Sequence, residues 1–136
     1  MATRARTEMK VNPRYRWLGE QPRARVQQIL ARSALLALSS KLEGGANVLS
    51  EAIVAGTPVL ASRIPGSVGI LGENYDGYFT VGDTEELARL LNRAESDSAF
   101  LARLRSHCAK LKPLFTTARE RTAWRRLIAE CLRAAE

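Results

Sequence analysis

The run Ser39-Ser40-Lys41-Leu42-Glu43-Gly44-Gly45-Ala46-Asn47-Val48-Leu49-Ser50-Glu51-Ala52-Ile53-Val54-Ala55-Gly56-Thr57-Pro58-Val59-Leu60-Ala61-Ser62 decides the fold. Ahead of it stands Ala34-Leu35-Leu36-Ala37-Leu38, a continuous apolar run of strand length, as expected of a strand covered on both faces. Ser39 to Gly45 reads as a loop and Asn47 to Ala55 as a helical stretch. Gly56 suits the left-handed turn that ends helices, and Pro58 follows it. Pro58 to Ser62 is the next short strand. Strand, glycine loop, helix, strand is the repeating unit of a parallel α/β sheet.

The pattern extends in both directions. Upstream, Tyr15 to Leu18 is a short β-like run closed by Gly19, and Pro22 suits the first turn of a helix reaching about Arg32. Val26, Ile29 and Leu30 give that helix one buried face. Downstream, Ile64 to Gly72 reads as a Gly- and Pro-punctuated loop with room for one helical turn, and Tyr78 to Val81 as a fourth strand. Asp83 or Thr84 caps a helix carrying Glu85 and Glu86 in its first turn and the stripe Leu87, Leu90, Leu91. Two more helices, about Ser98 to Leu111 and Thr117 to Ala135, flank Pro113. The order predicts an α/β, Rossmann-like layered fold with a mostly parallel sheet and helices on both faces. Trp17, Phe100, Phe115 and Trp124 are expected in its core.

Composition sets the bounds. The 136 residues allow one domain with a core of useful size, and 46% apolar with 26% charged residues is the ordinary balance of a soluble globular chain. No apolar stretch approaches the length of a membrane span. Cys108 and Cys131 suit no short metal-ligand spacing and read as buried, reduced thiols, which predicts a cytoplasmic location. The net charge of +7 is concentrated: residues 1–32 hold eight Lys/Arg against Glu8 and Glu20, whereas the rest hold thirteen against twelve. Residues 1–13 therefore read as a basic leader without regular structure, and 14–136 as the folded domain. The leader's charge admits nucleic-acid binding as a third-ranked reading, below a solvated leader. Arg119, Arg121, Arg125 and Arg126 read as a solvated helix face, and His107, mid-helix, as a surface or packing residue.

Chemistry concentrates in the loop before the helix. Ligands of parallel α/β sheets bind beyond the carboxyl ends of the strands, where this loop lies. Gly44 and Gly45 let backbone approach a ligand closely. The first amides of the helix, about Asn47, Val48 and Leu49, have no partners within it and face the positive end of its dipole, which favours a phosphate. Glu43 and Glu51 bracket that site and suit hydroxyl groups on either side of a phosphate. A glutamate near a helix start also stabilises the helix with no ligand at all, so the residues alone leave both readings open.

The spacing Glu43-x7-Glu51, followed by Ala52, Gly56, Pro58-Val59 and Ala61-Ser62, resembles the signature of group 1 glycosyltransferases (family 4, GT-B fold). The resemblance runs from about Tyr15 to the C-terminus and takes in Trp17-Leu18-Gly19, Gly77-Tyr78-Phe79 and the Gly82-Asp83 to Leu91 helix. It implies the C-terminal donor-binding domain of a retaining transferase, truncated at its N-terminal side, with an acceptor domain elsewhere. It also implies a nucleoside diphosphate sugar as donor, with no metal or other cofactor. Glu43 matches the glutamate that contacts donor sugar hydroxyls, together with Gly44, Gly45 and Ala46. Amides near Asn47, Val48 and Leu49 match the diphosphate site, and Glu51 the ribose-binding glutamate. The loop Gly19-Glu20-Gln21-Pro22 matches a region near the base.

Departures from the pattern lie at Ala46, Asn47 and Ser50, and in Ile64-Pro65-Gly66-Ser67-Val68-Gly69, which lacks a glutamate frequent after the family's Gly-Gly. The last tract, with Glu43 to Val48, is similar to a bacterial subgroup associated with selenosugar synthesis. No catalytic residue is expected in this chain, which the reading makes inactive alone. The alternative is a non-catalytic module that binds a nucleotide or sugar phosphate. Surface left uncovered by a missing domain would favour a homodimer.

Overall fold

The computed structural model describes residues 2–45 and 47–134. In chain order the elements are α1 (Ala2–Val11), α2 (Arg23–Arg32), β1 (Leu36–Leu38), α3 (Asn47–Ala55), β2 (Val59–Ser62), α4 (Pro65–Leu71), β3 (Tyr78–Phe79), α5 (Thr84–Ser96), α6 (Ser98–Leu111), a 3-10 turn (Lys112–Phe115) and α7 (Thr117–Ala134). The three strands form one parallel sheet in the order β1-β2-β3, with Leu36 opposite Val59 and Ala61 opposite Tyr78. A small parallel sheet with helices around it is the Rossmann-like α/β architecture expected.

The sheet is driven by its middle strand. All four residues of β2 are buried, and α3 lays Leu49, Ala52 and Ile53 into the same core, each fully buried. From α6, Phe100, Leu104 and Cys108 close the core at a spacing of one turn. Burial of one such large side chain contributes about 1.5–3 kcal/mol.

Three helix termini are fixed by specific residues. Gly56 has φ 81, the Gly56 N–H donates to Ile53 O at 3.1 Å and the Thr57 N–H to Ala52 O at 2.9 Å, a Schellman closure of α3. The buried Thr57 hydroxyl then donates to Leu30 O at 2.6 Å and so ties the ends of α3 and α2 together. Asp83 caps α5 by accepting from Glu86 N at 2.8 Å. Asp97 caps α6 by accepting from Phe100 N at 2.9 Å, a bond that holds its carboxyl below the usual range.

Several expectations are corrected. Ala2–Val11 is helical, not irregular: Ala, Arg, Met and Lys are good helix formers, and with Ala5 alone buried there is no apolar stripe to betray it. Residues 15–18 form no strand: β propensity is not enough without ladder pairing, and they pair with neither edge of the sheet. Residues 64–72 contain a true helix, α4, started by Pro65 in its first turn and anchored by buried Ser67 and Leu71. The last strand stops at Phe79, leaving Val81 exposed. Strand β1 is covered less than expected, since Ala37 is exposed on this edge strand. Helix α7 buries no residue and leaves Trp124, Leu127, Ile128, Cys131 and Leu132 exposed, so neither Trp124 nor Cys131 is in the core. Trp17 and Phe115 are half-buried, and only Phe100 of the four aromatics is fully enclosed.

Candidate functional site

The loop between β1 and α3 is held from below at the carboxyl ends of the strands. The Ser62 hydroxyl, at the end of β2, donates to Ser40 O, and the Ser40 hydroxyl donates to the carboxylate of Glu43. Gly66, in the first turn of α4, lies directly against this loop. A methyl group on Gly66 would collide with the carbonyl oxygen of Glu43 and stand 3.2 Å from Gly45 N. Its lack of a side chain is what lets α4 and the loop approach so closely. Gly44 and Gly45 are exposed, and a side chain on either would meet nothing within 4 Å.

Beyond the loop, α3 opens at the surface. Asn47 is exposed and Val48 half-buried, while the Leu49 side chain is locked in the core. That anchor fixes the first turn, whose backbone donors have no intrahelical partner. Ala46 lies outside the described residues.

On the outer side of α3 runs a groove of about 840 Å³. Its walls come from α2 (Arg23, Gln27), α3 (Asn47, Ser50, Glu51), the 3-10 turn (Leu114, Phe115) and the start of α7 (Arg119, Glu120). The volume lies in the range of small-molecule sites. Glu51 is recessed, with 19% of its side chain exposed, and its Oε1 accepts from Arg23 Nε at 3.0 Å.

The structure thus brings Asn47 and Glu51 together on one groove wall. It does not bring Glu43 there. Glu43, Gly44 and Gly45 stand outside the groove, and the Glu43 carboxylate is turned back onto Ser40. The two carboxylates do not line a common cavity: Glu51 lines the groove, whereas the Glu43 carboxylate accepts from the Ser40 hydroxyl. Sequence reasoning missed Arg23, Gln27, Ser50 and Arg119. The Arg23/Gln27 spacing of four, on the turn after Pro22, was the one local signal. Nothing local could connect Arg119 to residues some seventy positions earlier.

His107 packs. Its Nε2 lies 2.7 Å from Leu71 O, which can only accept, and its ring stands 4.8 Å from that of Tyr75. Arg119, Arg121, Arg125 and Arg126 are all exposed. Among the described residues no group of three or more His, Cys, Asp or Glu is placed to hold a metal ion, and no helix is long and apolar enough to cross a membrane.

A small parallel sheet with helices around it, and a groove of ligand size running along α3, makes this an α/β domain of Rossmann-like architecture. Its family is shown by comparison: the model for glycosyl transferases group 1 matches residues 4–111, which is 108 of the 136 residues. The chain belongs to the group 1 glycosyltransferases, and its role is in sugar transfer. The match begins inside α1 and ends with the last residue of α6. Comparison with curated proteins gives no match.

Proposed function

We propose that this domain binds the nucleoside diphosphate sugar donor of a retaining sugar-transfer reaction, with the diphosphate at the opening of α3. The observation that carries the reading is the placement of Asn47 and Glu51, one turn apart, on the wall of one 840 Å³ groove. Amides near Asn47, Val48 and Leu49 and the helix dipole supply fixed positive charge for the diphosphate, at no cost of reorganisation when the sugar departs. The recessed Glu51 carboxylate, an acceptor only, takes the ribose diol. Glu43 leaves its bond to Ser40 to meet the sugar hydroxyls on the loop side, with Gly44, Gly45 and Ala46 admitting the ring. No step in this reading calls for a metal.

Calorimetric titration with a panel of nucleoside diphosphates and their sugar conjugates tests it. E51A should weaken both ligand types, whereas E43A should weaken the sugar conjugates and spare the plain diphosphates. Equal loss of plain diphosphate affinity in the two variants would contradict the assignment.

A further inference from the structure

Glu51 is already engaged by a neighbouring helix. Arg23 and Glu51 come from different helices, 28 positions apart, and meet at 3.0 Å. The carboxylate is recessed, whereas 79% of the Arg23 side chain is exposed. The guanidinium therefore reaches in from solvent and occupies the Oε1 oxygen of Glu51. Asn47 lines the same groove one turn before Glu51, and a helical turn rises about 5.4 Å. Arg23 thus lines the same groove as Asn47, the first residue of α3, where a second anion-binding group would act together with the amides.

A sugar diol and a guanidinium are both donors, and both seek the Glu51 carboxylate. A ligand that supplies a diol alone displaces Arg23 and gives it nothing in return. A ligand that also carries a diphosphate offers the displaced guanidinium a new anion, one whose oxygens suit the planar fork of arginine. The contact being broken opens to solvent on its Arg23 side, which keeps it weaker than a fully buried ion pair. The geometry points to Arg23 as the specificity-determining residue of this groove: it exchanges its bond to Glu51 for the diphosphate when a nucleoside diphosphate enters. This rests on the function proposed above and extends it, because it makes the site select phosphorylated over unphosphorylated nucleosides.

The test uses the whole chain, R23A and R23K, each titrated with uridine, adenosine and guanosine and with the matching diphosphates. R23A should bind the preferred diphosphate about 10- to 100-fold more weakly, the value of a lost charge-assisted contact. It should bind the matching nucleoside as well as before or about 2- to 5-fold more tightly, since the ion pair no longer competes. R23K, which keeps the charge without the fork, should recover part of the diphosphate affinity. Equal weakening of nucleoside and diphosphate in R23A, or no change in either, would overturn the role of Arg23 while leaving the groove reading intact. Failure of the unaltered chain to bind any of the six ligands would overturn both.

Discussion

Alanine in place of Gly66 should unseat the loop that carries Glu43. The new methyl group would overlap the Glu43 carbonyl oxygen and stand 3.1 Å from the Glu43 carbonyl carbon and 3.2 Å from Gly45 N. All three neighbours are backbone, so no flexible side-chain tip can swing aside. Either α4 or the 43–45 loop must shift, and both are tied down, the loop by the Ser62 bond to Ser40 O and α4 by buried Ser67 and Leu71. Overpacking of this kind costs about 1–3 kcal/mol. For a chain of this length that lowers the melting temperature by about 4–12 °C. Gly69, three residues along the same helix, is the control: a methyl group there meets nothing within 4 Å. G69A should gain about 0.5–1 kcal/mol from helix propensity and melt slightly higher. Thermal unfolding followed by circular dichroism reads both variants. The packing argument is refuted if G66A melts with the parent chain, or if the two variants fall together.

Other outcomes follow from the core. T57V keeps the shape of the side chain but loses the 2.6 Å bond to Leu30 O, and should cost about 0.5–1.5 kcal/mol in denaturant titration. F100A empties the largest fully buried side chain, and should cost about 3–5 kcal/mol, enough to leave the chain marginal or unfolded. At high pH, burial raises the Tyr75 phenol, which donates to Val59 O, and pushes Tyr78 up to about 12, although the nearby Arg63 guanidinium pulls the other way. The unfolded chain releases these protons near pH 10, so their contribution to stability is full below about pH 10 and drains away as pH climbs toward 12. Ultraviolet titration should find both phenols still protonated at about pH 11 in the folded chain.

The elements most legible in the sequence are those with a local stop signal. Pro22 marks the start of α2, Gly56 with Pro58 the end of α3, and Asp83 the start of α5. The central strand β2 is readable because it is buried on both faces and so is apolar from Val59 to Ala61. Elements whose existence depends on distant partners are not readable in this way. Residues 15–18 have strand composition but pair with no strand of the sheet. Trp124 and Cys131 look like core residues, yet they sit on a helix that packs against nothing with them. Helix α1 shows the converse, a helix made by propensity with no apolar stripe to signal it. At the site, Asn47 and Glu51 are legible because one helix carries both at a fixed spacing. The separation of Glu43 from the groove, and the arrival of Arg23 and Arg119, depend on how α2, α4 and α7 dock. No spacing within the loop encodes that docking.

In the proposed function the opening of α3 grips the diphosphate. Backbone amide spectra of the labelled chain, recorded while a nucleoside diphosphate is added, address it residue by residue. The largest changes are expected at Asn47, Val48 and Leu49, with smaller ones at Glu51 and Arg23. Saturable binding that leaves those three amides unmoved and shifts only the basic α1 or the Arg-rich α7 would contradict the account.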